Sequence, residues 1–115
     1  MTGNSDALKR INRIRVLNDF FRSTFMGGEI VITAAVEDLP LHVKSRLFLA
    51  VQMFPASTPD DDPFAEHDFG SFELNGEKFF WKIDYYDQDG INGSEDPADP
   101  NKTKRVLTIM FADEY

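Results

Sequence analysis

Apolar residues recur at three- and four-residue intervals at Ile11, Ile14, Leu17, Phe21 and Phe25, the spacing that lines one face of a helix. Asn4 or Ser5 can cap that helix, and residues 1–5 are expected to be disordered ahead of it. Met26-Gly27-Gly28 should end it, because glycine tolerates the left-handed conformation at a helix C-terminus. Glu29 to Ala34 is rich in β-branched residues and reads as a short strand. Asp38 then stands where a helix cap belongs, with Pro40 in the first turn. Leu41, Val43, Leu47, Val51 and Phe54 follow at helical spacing, so a second amphipathic helix should end near Phe54-Pro55.

Beyond Pro63 the period changes from helical to alternating. Asn75-Gly76 supplies the two positive φ angles of a type I′ turn and joins two strands as a hairpin. A two-residue loop sets Leu74 against Glu77, Glu73 against Lys78, Phe72 against Phe79 and Gly70 against Trp81. One face then collects Phe72, Leu74, Phe79, Trp81, Ile83 and Tyr85. The other carries Phe69, Ser71, Glu73, Phe80, Lys82, Asp84 and Tyr86. Arg105 to Ala112 alternates Leu107, Ile109 and Phe111 with Val106, Thr108 and Met110, and should pair antiparallel with the hairpin. The expected fold is α+β, a single domain over 1–115. It is a two-layer sandwich of order α-β-α-β-β-β, with an antiparallel sheet and two helices packed on one face.

A length of 115 residues suits one domain with one core. The absence of cysteine removes disulfides, thiolate metal sites and thiol nucleophiles, and fits a reducing cytoplasm. No apolar run approaches the roughly 20 residues of a membrane helix, so no membrane partner is expected. The net charge of -8 is unevenly spread. Up to Phe25, five basic side chains (Lys9, Arg10, Arg13, Arg15, Arg22) face two acids (Asp6, Asp19), a balance of +3 that leaves -11 for the other ninety residues. A body this acidic disfavours direct nucleic-acid binding, which needs Lys and Arg on the docking face. It favours a protein partner with a basic surface, such as a nucleic-acid-binding protein. The basic helix reads first as a solvated face attracted to its own acidic sheet.

Two acidic, proline-punctuated loops flank the hairpin. The first holds Asp60, Asp61 and Asp62 between Pro59 and Pro63 and runs on to Glu66, His67 and Asp68; the second, from Asp87 to Pro100, holds Asp89, Glu95 and Asp96. Asp68 and Asp87 both lie at the hairpin's open end, which brings the loops near each other. Glu66, His67, Asp68, Asp84 and Asp87 supply the oxygen and imidazole ligands that a divalent cation such as Mg, Mn or Zn takes, and with a metal they would suit a hydrolase or nuclease. The competing account has His67 bonded to a neighbouring carboxylate and the acids solvating two loops. Asp87-Gln88-Asp89-Gly90 has part of a calcium-loop pattern, but Tyr85 stands where its first carboxylate belongs. Asp60, Asp61, Asp62, Phe80, Tyr86, Asp89, Glu95 and Asp96 are the candidates for partner binding. Phe69, Phe80 and Tyr86, if left uncovered by a helix, would suit a protein partner or a homodimer.

Glu66-His67-Asp68-Phe69-Gly70, Phe80 to Asp87, Gly93 to Pro100 and Arg105 to Met110 together resemble a bacterial domain-of-unknown-function family. The resemblance extends from about Ile14 to Tyr115. Its members are small, often plasmid-borne proteins encoded among accessory genes of conjugative elements. The resemblance implies membership and no residue roles. Its setting implies a mobile-element accessory, acting against host defence or in plasmid maintenance, and hence a non-enzymatic protein-binding module as the first functional expectation.

Overall fold

A computed structural model describes residues 2–55 and 65–115. Helix α1 runs Thr2–Thr24, strand β1 Gly28–Ile32, a single-turn helix α2 Ala34–Glu37, and helix α3 Leu41–Gln52. Strands β2 (Phe69–Leu74), β3 (Glu77–Tyr86) and β4 (Lys104–Phe111) follow, with a 3-10 turn at Ala112–Glu114. α1 thus begins ahead of the expected Asn4 or Ser5 cap. Its C-terminal left-handed position is filled by Phe25 (φ 60°), whose N–H bonds Phe21 O at 2.7 Å, and Gly27 follows at φ 95°. Between β1 and α3 the expectation needs correcting. Thr33 accepts from Val36 N–H and caps α2, Asp38 closes that turn, and Pro40 is the N-cap of α3.

The hairpin has the register its turn dictates. Phe72 faces Phe79, Glu73 faces Lys78 and Gly70 faces Trp81, with Asn75 and Gly76 at φ 54° and 78°. β4 pairs antiparallel with β3, setting Trp81 against Ile109 and Tyr85 against Arg105. The sheet is nevertheless mixed rather than antiparallel. Its order is β1-β4-β3-β2, and β1 lies parallel to β4 from Gly28↔Arg105 to Ile32↔Ile109. The physical reason is the crossover: α2 and α3 carry the chain from β1 to the far edge, leaving β1 beside the last strand.

Phe21 of α1, Val36 of α2 and Leu47 and Val51 of α3 pack with Phe79, Trp81, Ile83, Leu107 and Ile109 as one buried cluster. All the strand members share one face, so the helical layer is single. Full burial of each large side chain contributes about 1.5–3 kcal/mol. Two glycines let the layers approach. A Cβ on Gly28 would fall 2.6 Å from the Phe21 ring, and one on Gly70 would collide with the Trp81 indole. Trp81 packs edge-on against Phe54 at 5.4 Å, under the Arg22 guanidinium at 5.5 Å. Its Nε1 is buried, with no hydrogen-bond partner among the described residues.

Candidate functional site

The segment entering β2 carries Glu66, His67 and Asp68 on a backbone that bends twice into the left-handed region, at Ala65 and His67, both at φ 57°. For residues with a Cβ this costs energy and persists only where surrounding contacts impose it. Those contacts come from one side of α1. Arg15 Nε donates to Ala65 O (2.8 Å), Asn18 Nδ2 to Glu66 O (3.0 Å), and Asp19 receives His67 Nδ1 at 2.9 and 3.1 Å on its two oxygens. Nδ1 is the donor to either Asp19 oxygen in the tautomer that carries the ring proton there. Arg22 lies 3.7 Å from Asp19 and donates to Val51 O and Gln52 O, satisfying carbonyls at the end of α3.

Beneath that contact is a buried polar group. Asn18, fully buried, also donates to Tyr85 Oη (2.8 Å) and accepts from Arg105 Nε (2.8 Å). Tyr85 Oη donates to Glu66 Oε1 at 2.8 Å, and Arg105 reaches Pro97 O while its guanidinium lies 5.3 Å from the Tyr85 ring centre. Burial, then the Glu66 carboxylate, drive the Tyr85 phenol well above its ordinary pKa, so it stays a neutral donor. Burial lowers the Arg105 pKa, opposed by Tyr85 and Glu66.

Of the five residues expected to share a cation, Glu66 and His67 part from Asp84. Glu66 is bonded to Tyr85 and His67 to Asp19, whereas Asp84 points to the opposite sheet face and pairs with Lys82 at 2.9 Å. That bond to Asp84 raises the Lys82 pKa. Asp68 O accepts Ile83 N–H at 2.8 Å, and Asp87 N–H donates to Asn92 O at 2.7 Å. Among the described residues no three His, Asp or Glu side chains are grouped to hold a metal ion.

The second loop is braced by its own acids. Asp89 Oδ1 accepts from Ile91 N–H (2.8 Å) and Asn92 N–H (3.2 Å), which lowers its pKa, and Tyr85 is turned away toward Glu66, so the partial calcium pattern serves as a turn. Asp96 accepts from Ala98 N–H and Asp99 from Asn101 N–H. Glu95 pairs with Lys102 at 3.6 Å and Asp96 with Arg10 at 3.4 Å. Asp60, Asp61 and Asp62 lie outside the described residues. Phe80 and Tyr86 lie on the face away from the helices. There Phe69, Phe80 and Tyr115 form a trio with ring centres 5.0–5.6 Å apart.

Asn18, Asp19, Arg22 and Arg105 were not among the expected site residues. Arg105 carried a legible signal, since it shares the alternation of Leu107 and Ile109 and so had to point into the core. Asn18 carried a similar one, a polar residue at helical spacing between Ile14 and Phe21, whereas Asp19 carried none, because the loop it holds is 48 residues away.

Residues 32–114 match the family model described as a protein of unknown function, DUF3768. The chain belongs to the DUF3768 family. The matched stretch includes both loops, Tyr85 and Arg105, but begins after α1. No curated protein and no solved structure matches the chain. Among the described residues, no helix is long and apolar enough to cross a membrane.

Proposed function

We propose that this member of the family is a non-enzymatic module that binds a protein with a basic surface, as a mobile-element accessory acting against host defence or in plasmid maintenance would. The carrying observation is the one-sided placement of the helices. Every helix packs on the Trp81 face, and among the described residues the opposite face keeps Phe80 half-buried and Tyr115 exposed with no helix above them. Charge supports a basic partner. The arginines of α1 are held within the chain by Asp96, Ala98 O, Ala65 O and Val51 O, and the whole chain keeps a net charge of -8. Aromatic side chains with a charged rim are the usual anatomy of a protein interface.

The test is affinity capture from host lysate at low and high salt, with wild type, Phe80→Ser and the pair Glu95→Gln/Asp99→Asn compared. A basic partner whose capture weakens with salt and with both variants supports the reading. Capture indifferent to all three changes overturns it. A melting midpoint raised by Mg, Mn or Zn and returned by chelator would favour the metal-dependent hydrolase instead.

A further inference from the structure

The segment joining α1 to β1 is three residues long, Phe25-Met26-Gly27, and it is strained. Phe25 holds φ 60°, a region that bulky side chains rarely adopt, and Gly27 holds φ 95°. Met26 between them is 63% exposed, an apolar side chain at the bend. Everything else that fastens α1 is a contact between its side chains and a separate surface. Arg10 meets Asp96, Arg13 Ala98 O, Arg15 Ala65 O, Asn18 Glu66 and Tyr85, and Arg22 the end of α3.

None of these contacts depends on which chain supplies the helix. We propose that α1 exchanges between two copies of this chain, each body receiving the other copy's helix in the position its own occupies. A short hinge under strain favours such exchange, because opening it removes the strained bend while every helix contact is remade. Charge selects the occupant. The helix carries +3 and the body -11, so the surface around Glu66, Tyr85 and Asp96 is complementary to this helix, and two bodies that repel as acids are joined by two basic helices crossing between them. Extended, the hinge spans about 10 Å, which brings the two bodies close together.

The chain has no cysteine, so introduced thiols react alone. Arg10→Cys in one copy and Asp96→Cys in a second, differently tagged copy are co-refolded at high concentration and treated with a short bis-maleimide. Exchange gives a covalent heterodimer between the two tags. The Arg10→Cys/Asp96→Cys double variant, refolded dilute, should close within one chain, showing that the geometry permits the link. If the double variant closes and the mixture yields no heterodimer, the proposal is overturned. A dimer seen in solution without this link overturns it equally. Inserting Gly-Gly-Ser between Gly27 and Gly28 relaxes the hinge and should weaken the dimer roughly tenfold. An unchanged dissociation constant removes the hinge from the account.

Discussion

The two acidic loops at the open end of the hairpin are similar in composition and opposite in construction. In Ala65–Asp68, side chains from α1 and β3 hold the segment in a conformation it would not adopt alone. From Asp87 to Thr103 the turns are capped by bonds within a few residues, and Arg10 and Arg13 of α1 and Arg105 of β4 fasten only the stretch from Asp96 to Ala98. Asp89, Asp96 and Asp99 each cap their own turn, and Ser94 and Thr103 bond each other at 2.8 Å. Carboxylates in the first loop therefore register tertiary structure, and those in the second register local turn chemistry, with Asp96 alone of those named also reaching α1 through Arg10. Richness in aspartate does not distinguish the two.

Breaking the first loop should cost most. Asn18→Ala removes the acceptor of Arg105 and the donor to Glu66 and Tyr85, leaving a buried guanidinium without its side-chain partner. A loss of about 2–4 kcal/mol in urea unfolding is expected, together with proteolysis near Ala65. An effect under about 0.5 kcal/mol would mean that the network is not what holds the loop.

Tyr85→Phe should cost less, about 1–3 kcal/mol at neutral pH. It also tests the sign of a titration. The folded pKa of Tyr85 lies above its unfolded value, so the folded state binds the proton more tightly. That stability is complete below pH about 10 and is lost as pH rises beyond it. Melting curves between neutral and alkaline pH should therefore fall less steeply for Tyr85→Phe than for wild type. Parallel curves would mean that the phenol is solvated.

The smallest effect belongs to Asp89→Asn. The Asp89 pKa is depressed by the Ile91 and Asn92 amides, so its contribution is present above the usual aspartate range and fades as pH falls through the folded value. Faster hydrogen exchange at those two amides, with the global midpoint unmoved, is the expected result. A cooperative loss of stability would show that the Asp89 turn, too, is tied to the rest of the fold.

This contrast also explains what could be read in advance. Asn75-Gly76 dictates a turn, and alternation carries the register outward from it, so the hairpin, its antiparallel third strand and the α+β class were legible. The parallel placement of β1 was not, because five β-branched-rich residues state a strand without naming a neighbour. The candidate site divides along the same line. Glu66 and His67 were visible as a polar pair at a strand entry. Of their partners, Asn18 falls on the apolar face that the periodicity of α1 marks, but Asp19 lies beside it and nothing in the spacing points to it.

Trp81 is the chain's single tryptophan, and one side of its environment belongs to α1 through Arg22. Its emission is therefore an intrinsic reporter of helix engagement. Lifting α1 away exposes the indole and shifts its fluorescence toward the red, so the seating of that helix can be followed in real time without a label.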